Sequence, residues 1–426
     1  MLATFLLGLF GFVFASVPIA FSLILVTVLL MLSLTGSISP LIIAQNTMRG
    51  IDSFPLMAIP FFMLAGELMN VGGISRRIVE FSRALLGHVA GGLGYVGVVA
   101  CMIFAGVSGS AAADTSAIGS VLLPVMNEEG YDRAKSTALI TSAGCIGPII
   151  PPSIPMIIFG VIGGVSIVKL FLGGIIPGIL IGCGLMTVWF FHARKHRYPA
   201  GPRTDLRHIL RATREAFWAL ILPLIILGGI ISGIYTPTEA AVVAVVYAFV
   251  VGLFIYRELR FSRIPEILVQ AAKSTSIVLL VCGAATAAGY LLTIAQIPPL
   301  LSKTILYLSG GTPWLIMFWI NILLLMVGCV MDLTPALLIL GPILLPVVVQ
   351  FGYDPVYFGV VMVVNLCIGL ITPPVGTVLY IGCGLSKLSM ARLTPAIAGF
   401  IGVMIVVLFV ITYVPWTVTL IPGLVK

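Results

Sequence analysis

Long runs of apolar residues alternate with short polar loops along the whole chain. Uncharged apolar runs of about 18 residues or more are typical of helices that cross a lipid bilayer. The pattern predicts membrane-crossing helices near 2–35, 52–70, 135–160, 165–192, 217–234, 238–256, 274–294, 356–382 and 394–415. We therefore expect an all-α polytopic membrane protein.

Two segments, 89–126 and 313–350, differ because a stretch of small and polar residues interrupts each apolar run. The interruptions read GVSGSAAADTSA from Gly106 and GCVMDLTPA from Gly328. We interpret both segments as re-entrant hairpins, each made of two half-length helices that meet at a tip. Proline-rich stretches, GCIGPIIPPSIP from Gly144 and CIGLITPPVGT from Cys367, interrupt two further runs and predict broken helices there.

A repeat relates the two halves of the chain. LLPVMNEEGYD from Leu122 recurs as LLPVVVQFGYD from Leu344, and CIGPIIPP from Cys145 recurs as CIGLITPP from Cys367, both at a shift of 222 residues. Five predicted spans separate the starts of the repeats, and an odd number inverts their orientation. We expect inverted-topology repeats at 1–198 and 236–426, each with a hairpin and a broken helix, joined by a basic cytoplasmic linker and connecting helix at 199–235.

Positive charge predicts the orientation in the membrane. The formal net charge is +8, and short loops rich in Lys and Arg stay cytoplasmic. Counting outward from the most basic loop keeps the other basic clusters inside, with a cytoplasmic N-terminus and a periplasmic C-terminus. The opening segment lacks the features of a signal peptide, so we interpret it as part of the first span. The most basic loop carries Arg194, Lys195, Arg197, Arg203, Arg207, Arg211 and Arg214.

Composition and missing motifs exclude several classes of function. Only 8% of the residues are charged, against about 25% in an average soluble domain. The chain has no GxxxxGK[ST] phosphate loop, no HExxH and no GxSxG, so we expect neither ATP hydrolysis nor another enzymatic activity. The seven cysteines lack metal-binding spacing, and the basic loops read as topology signals rather than a nucleic-acid surface. We expect no cofactor.

The four interruptions predict a binding site. A bilayer tolerates broken helices only where protein or water covers the freed backbone groups, and paired discontinuous helices mark the midplane substrate site of secondary transporters. Carbonyl oxygens at the broken ends can replace the water around Na⁺, while half-helix N-termini favour an anion. Glycines at the breaks permit close approach, and hydroxyl oxygens add hard ligands. The hydroxyls are those of Ser108, Ser110, Thr372 and Thr377.

Several charged residues in the apolar runs have two interpretations. Asp114 and Asp332 lie at the two tips, where each could be a ligand or a helix cap. Glu239 fits a capping box in Thr236–Pro237–Thr238–Glu239. Glu67 and Lys169 lie near span ends, where snorkelling explains them. The apolar spacing from Ile74 to Leu85 predicts an amphipathic helix, either in the membrane interface or in a cytoplasmic loop.

The motifs together resemble a known family. FAGVSGSAAADTSAIGSVLLPVM from Phe104, GCIGPIIPPSIPMIIFG from Gly144, GIYTPTEAA from Gly233 and NLCIGLITPPVGTVLY from Asn365 resemble the large membrane subunit of tripartite ATP-independent periplasmic (TRAP) transporters. The resemblance covers essentially the whole chain. It implies sodium-driven uptake across a bacterial inner membrane by an elevator movement, with a separate small four-helix membrane subunit and a periplasmic substrate-binding protein.

The resemblance also implies site residues and a substrate class. One Na⁺ is expected near Ser108, Ser110, Gly144 and Gly147, and a second near Gly328, Gly369 and Thr372. The substrate is expected between the two tips and is an organic acid, such as a C4-dicarboxylate, a sialic acid, a sugar acid or a keto acid. The candidate substrate-binding residues are Asp114, Thr115, Ser153, Asp332, Thr334 and Thr377.

Two alternatives remain open from the sequence. A stand-alone sodium/dicarboxylate or citrate-type carrier of the same broad fold would need no periplasmic protein. A channel or structural membrane component would show no coupling to an ion gradient.

Overall fold

The computed structural model describes residues 2–34, 39–198, 200–201 and 205–424, which fold into helices joined by short connections. Arg203 and the rest of 202–204 lie outside the described residues, as do 199, at the start of the predicted linker, and 35–38, which begin at the last residue of the predicted first span. The helices of the first half are α1 (Leu2–Phe14), α2 (Ile19–Ser33), α3 (Leu41–Ile51), α4 (Ala58–Val71), α5 (Ile74–Leu86), α6 (Gly92–Ser108), α7 (Ala111–Glu128), α8 (Arg133–Gly144), α9 (Ile154–Gly163) and α10 (Ile167–His196). Those of the second half are α11 (Leu206–Ile231), α12 (Pro237–Val250), α13 (Ile264–Ile294), α14 (Ile297–Ser309), α15 (Pro313–Gly328), α16 (Leu333–Gln350), α17 (Pro355–Gly369), α18 (Thr377–Ser386), α19 (Met390–Tyr413) and α20 (Trp416–Leu424).

The length and composition of these helices are those of a membrane protein. Among the described residues, 7 helical segments are long and apolar enough to cross a bilayer. The prediction of an all-α polytopic membrane protein is therefore confirmed. The segments are Phe54–Val71, Ile167–His196, Leu206–Ile231, Pro237–Ile255, Phe261–Ile294, Leu333–Gln350 and Met390–Tyr413.

The prediction of one continuous helix over 2–35 is wrong. Helix α1 ends at Phe14, and Ser16 adopts a left-handed φ of 64°. Pro18 then precedes α2, and a proline disfavours helical geometry in the residue before it. The hydropathy pattern did not show this break, because only a few residues separate the two helices and the run stays apolar around them. Three helices that the hydropathy pattern did not predict, α3, α14 and α20, are short.

Helices are interrupted at both predicted hairpin tips and at both predicted breaks. Helices α6 and α7 flank the first tip and are called the first hairpin, and α15 and α16 flank the second tip and are called the second hairpin. Their re-entrant course stays a prediction. The first break separates α8 from α9, and the second separates α17 from α18. Helices α7 and α16 begin and end 222 residues apart, in the register of the sequence repeat. The inverted orientation of the two repeats in the membrane stays a prediction.

Caps at matching positions begin the first helix after each hairpin. Asp132 accepts a hydrogen bond from the backbone N–H of Lys135 at 2.6 Å, and Asp354 accepts one from the N–H of Tyr357 at 2.9 Å. Each bond satisfies an N–H that the first turn of a helix leaves without a partner. The two residues are also 222 apart, so the repeat extends to the local chemistry of helix initiation.

Helix α5 is amphipathic, as its sequence predicts, but protein covers its apolar face. Ile74 and Ile78 are fully buried, and α5 packs against α6 and α11. Arg76 and Arg83 are exposed on the opposite face. The apolar stripe of α5 therefore reflects packing against other helices rather than insertion of that face into lipid.

The capping box at the start of α12 is confirmed. The backbone N–H of Thr236 donates to Glu239 Oε2 at 2.8 Å, and the N–H of Glu239 donates to Thr236 Oγ1 at 3.3 Å. This reciprocal pair accounts for an acidic residue at the end of an apolar helix.

Candidate functional site

The first hairpin tip holds a fully buried carboxyl group. Helix α6 ends at Ser108, Gly109 adopts a left-handed φ of 61°, and Ser110 caps α7 by accepting a hydrogen bond from the N–H of Ala113 at 3.4 Å. Asp114 lies one turn inside α7 and accepts a hydrogen bond from the hydroxyl of Ser108. The alternative interpretation of Asp114 as the N-cap is therefore wrong, because Ser110 occupies that position.

Two buried oxygens at this tip have no hydrogen-bond partner among the described residues. They are Oδ2 of Asp114 and Oγ1 of Thr115, and both side chains are fully buried. A buried polar atom without a partner costs free energy, and a carboxylate costs more than a hydroxyl. A bound cation or a hydrogen-bond donor at this tip would offset that cost.

The first helix break lies directly against these oxygens. A Cβ atom placed on Gly147 would be 2.9 Å from Cγ of Asp114, and one placed on Gly144 would be 3.0 Å from Cβ of Thr115. Only glycine allows the backbone to come so close. The structure thus brings together Ser108, Asp114, Thr115, Gly144 and Gly147, all of which the sequence predicted as site residues.

Ser153 lies within the first break and caps the helix that follows it. Its hydroxyl accepts from the N–H of Met156 at 3.3 Å and donates to the carbonyl oxygen of Pro148. Ser153 is fully buried. These two hydrogen bonds stabilise the backbone of the first break and the start of α9.

The second tip and the second break are joined by side-chain and backbone contacts. Asp332 occupies the N-cap position of α16 without capping it, and its Oδ1 accepts a hydrogen bond from Thr377 Oγ1 at 2.9 Å. The N–H of Val375 donates to the carbonyl oxygen of Cys329 at 3.2 Å. A Cβ atom placed on Gly369 would lie 2.6 Å from Cα of Gly328, so the two backbones nearly touch.

Thr372, predicted for the second cation site, and Thr334, predicted for the substrate site, make fewer contacts. Thr372 lies just after the end of α17, and its Oγ1 donates to the carbonyl oxygen of Ile368 at 2.7 Å, which leaves its lone pairs available. Thr334 is half-buried in the first turn of α16. Among the residues that the structure describes, the hydroxyl group of Thr334 has no hydrogen-bond partner.

A polar cavity adjoins the first tip. This tip cavity has a volume of about 380 Å³ and lies between the first hairpin and helices α4 and α13. Ser108 and Ser110 line it, whereas the buried Asp114, Thr115 and Ser153 do not. Its polar side chains are Glu67, Asn70, Ser108, Ser110, Ser116, Gln270 and Ser274.

Glu67 lies near the end of α4, as the sequence predicts, and it also lines the tip cavity, which the sequence analysis did not predict. Gln270 and Ser274, more than 200 residues later in the chain, lie across from it on α13. An acidic residue inside an apolar run was the available signal, since such residues usually serve a function.

Paired half-helices, buried oxygens without partners and a polar cavity beside long apolar helices define a polytopic membrane transport protein. The chain belongs to the family described as "Tripartite ATP-independent periplasmic transporter, DctM component", whose model matches residues 6–417. The predicted resemblance is thereby confirmed.

Relatives with assigned names support the same family. The 2,3-diketo-L-gulonate TRAP transporter large permease protein of Escherichia coli is 45% identical, with 96% of each chain covered. The C4-dicarboxylate TRAP transporter large permease protein of Pseudomonas aeruginosa is 39% identical over 90% of this chain and 92% of its own. The sialic acid TRAP transporter large permease protein of Vibrio cholerae is 38% identical over 98% and 97%. These proteins are named as permeases, so the family is one of transporters and not of enzymes.

A solved structure shares the fold at low sequence identity. The YdaH transporter of Alcanivorax borkumensis aligns with a TM-score of 0.63 and 14% identity, over 94% of this chain and 98% of its own. This similarity concerns the fold alone.

Proposed function

We propose that the chain takes up a small organic acid and uses a sodium gradient to drive the movement. The relatives are named for 2,3-diketo-L-gulonate, C4-dicarboxylates and sialic acid, which share a carboxylate or an acidic group. The observation that carries the sodium proposal is the buried carboxylate oxygen Asp114 Oδ2, which is held against the glycine backbone of the first break without a partner among the described residues. Hard oxygen ligands of this kind suit an alkali cation.

The two breaks give one candidate cation site each. The first uses Ser108, Ser110, Gly144 and Gly147 together with the carboxyl group of Asp114. The second uses Gly328, Gly369 and Thr372, where backbones of the second hairpin and its break nearly touch. The candidate substrate site lies between the tips and includes Thr115, Ser153, Thr334 and Thr377 beside the two aspartates.

Transport proceeds in this proposal by an elevator movement. The moving part consists of the hairpins and broken helices, α6 to α9 and α15 to α18. The static part contains α2, α3, α4, α11, α12 and α13, which we call the scaffold helices. The tip cavity lies between the two parts, as a path for substrate release requires.

The partners in this proposal are a small four-helix membrane subunit on a separate chain and a periplasmic substrate-binding protein. The complex lies in a bacterial inner membrane, with the N-terminus cytoplasmic and the C-terminus periplasmic. The two inverted repeats, 1–198 and 236–426, face opposite sides and flank the linker at 199–235. Family membership supports this assembly over a stand-alone carrier.

Reconstitution in proteoliposomes tests the proposal. The chain is incorporated with its small subunit, the binding protein is added outside, and uptake of labelled 2,3-diketo-L-gulonate, succinate and N-acetylneuraminate is measured under an inward Na⁺ or K⁺ gradient. Uptake of one of these acids only with Na⁺ and only with the binding protein is the expected result. Uptake without the binding protein would favour the stand-alone carrier, and uptake equal in K⁺ would contradict sodium coupling.

A further inference from the structure

A second cavity lies between the scaffold helices and the moving part, and it contains an arginine. This Arg49 cavity has a volume of about 400 Å³ and is bounded by α3 and α13 on one side and by α9 and α16 on the other. Arg49, Ser53 and Tyr290 lie in its wall, together with Asn46, Thr286 and Thr293. No acidic side chain lines it among the residues that the structure describes.

Three side chains of this cavity have hydrogen-bond donors that are free for a ligand, whereas Asn46 and Thr293 donate to carbonyl oxygens of their own helices. The side chain of Arg49 is exposed and forms no hydrogen bond or ion pair with any described residue, and the hydroxyl groups of Ser53 and the exposed Tyr290 also lack partners there. The hydroxyl of Thr286 instead donates to the carbonyl oxygen of Cys282 at 2.8 Å, within its own helix. A guanidinium group with five N–H donors matches a carboxylate in shape and charge.

Close helix packing fixes the position of Arg49. A Cβ atom placed on the neighbouring Gly50 would lie 2.6 Å from Cβ of Thr286, and one placed on Gly283 would lie 2.7 Å from the carbonyl oxygen of Thr47. Helices α3 and α13 therefore touch through glycine at the level of Arg49. The arginine is carried by a tightly packed helix pair rather than by a loop.

The two cavities lie at different depths along α13. Ser274 lines the tip cavity and Thr286 lines the Arg49 cavity, and twelve helical residues span roughly 18 Å. The basic residues Arg257, Arg260 and Arg263 precede α13, so its first turns lie towards the cytoplasm by the positive-inside rule. The Arg49 cavity then lies on the periplasmic half and the tip cavity on the cytoplasmic half.

The two cavities also differ in charge. The tip cavity contains the carboxyl group of Glu67 and no basic side chain among the described residues, whereas the Arg49 cavity contains a guanidinium group and no acidic one. The positive charge of the Arg49 cavity therefore attracts an organic anion. Along α16, Leu338 in the Arg49 cavity is only six residues, roughly 9 Å, from Asp332 at the second tip.

We propose that the Arg49 cavity is an entry subsite that binds the carboxylate of the incoming organic acid before it reaches the hairpin tips. Arg49 holds the carboxylate through its guanidinium N–H groups, and the hydroxyl groups of Ser53 and Tyr290 donate to the same anion. The inference rests on the proposed uptake function and adds a residue on the scaffold helices to the substrate path. The phosphate of an anionic lipid would present a similar charge to Arg49, so the experiment separates the two ligands.

Chemical protection of Arg49 tests the subsite directly. The chain and its small subunit are placed in nanodiscs of phosphatidylcholine, with or without phosphatidylglycerol, and the rate of phenylglyoxal modification at Arg49 is measured by mass spectrometry. We expect succinate, N-acetylneuraminate or 2,3-diketo-L-gulonate to slow this modification at least fivefold in phosphatidylcholine alone, while dimethyl succinate has no effect. Exposed Arg392, on α19, is the matched control and should react at an unchanged rate. The proposal would be overturned if only phosphatidylglycerol protected Arg49. It would also be overturned if Arg49 were modified as fast with each of the acids as without any acid.

Transport by variants separates this proposal from the proposed function. Arg49→Gln should raise the half-saturating concentration of loaded binding protein about tenfold. It should leave the sodium concentration for half-maximal uptake unchanged. Arg49→Lys keeps the positive charge and should raise the half-saturating concentration of loaded binding protein less than Arg49→Gln does. Arg392→Gln is the control for a lost positive charge. Wild-type uptake that is sodium-driven but unaffected by Arg49→Gln would reject the subsite and keep the proposed function. Absence of sodium-driven uptake in the wild-type protein would reject the proposed function itself.

Discussion

Thr377 Oγ1 donates a hydrogen bond of 2.9 Å to Oδ1 of Asp332, and this bond joins the second hairpin tip to the helix that follows the second break. The two residues are 45 positions apart in the chain. Because Asp332 does not cap its own helix, its side chain is free to hold the tip against the break. The contact therefore joins the tip and the break beside the second candidate cation site.

Replacement of Thr377 by valine should loosen that contact. Thr377→Val keeps the shape of the side chain and leaves the Asp332 carboxyl group without its donor, at a cost of about 1 to 3 kcal/mol. We expect a lower thermal unfolding temperature and uptake slowed about fivefold or more, since about 1.4 kcal/mol corresponds to a factor of ten. Thr377→Ser restores the hydroxyl and should restore most of the uptake. Equal losses in both variants would show that the methyl group, and not the hydrogen bond, matters.

Replacement of Thr372 by valine should weaken sodium coupling without loss of expression. The Thr372 hydroxyl donates to the carbonyl oxygen of Ile368, four residues earlier in the chain. Its oxygen lone pairs are therefore the part that a bound Na⁺ would use. We expect the sodium concentration for half-maximal uptake to rise about fivefold or more, with unchanged yield of purified protein.

Thr394→Val provides the matched control for this experiment. Thr394 makes the same kind of bond, from its Oγ1 to the carbonyl oxygen of Met390 at 3.0 Å, on α19 and away from both breaks. Its replacement should leave the sodium dependence unaltered. A sodium dependence that is unchanged in Thr372→Val as well would remove Thr372 from the proposed second site.

The breaks and tips could be predicted from the sequence because glycine and proline act locally. Gly144, Gly147 and Pro151 disfavour a continuous helix whatever surrounds them, and the repeated spacing distinguishes them from scattered kinks. The bounds of α7 and α16 agree with the predicted register for the same reason. The break before Pro18 escaped because it interrupts an otherwise unbroken apolar run.

The roles of individual site residues depend on tertiary contacts and could not be predicted in the same way. Ser110 caps α7 because the left-handed Gly109 ends the preceding helix there. Asp114 therefore lies in the first turn of α7, where it is buried, and not at the cap position. Glu67 lines a cavity because α4 faces α13 across the first tip. No local pattern shows that Gln270 and Ser274 lie across that cavity.

Insertion of one methyl group at the first break should disrupt the first candidate cation site. A Cβ atom on Gly144 would collide with the side chain of Thr115, and overpacking of this kind costs about 1 to 3 kcal/mol. Gly144→Ala should therefore lower the unfolding temperature and abolish most uptake. Gly384→Ala, in α18, is the control because a Cβ atom there meets nothing within 4 Å, and alanine favours a helix. A Gly144→Ala protein that transports like the Gly384→Ala protein would contradict the close approach of tip and break.

The buried carboxyl group of Asp114 gives the most direct test of cation binding. An unpaired carboxylate in the interior costs several kcal/mol, and a bound Na⁺ would offset that cost. Asp114 is fully buried with one oxygen unpartnered, so sodium should raise the unfolding temperature of the wild-type protein. Asp114→Asn removes the charge at nearly constant volume. Without sodium, this variant should be more stable than the wild type, and added sodium should stabilise it far less. The control is Asp205→Asn, because Asp205 is exposed and makes no side-chain cap bond. If sodium raised the unfolding temperature of Asp114→Asn as much as that of the wild type and Asp205→Asn, the stabilising ion would bind elsewhere, and the first tip would lose its proposed role.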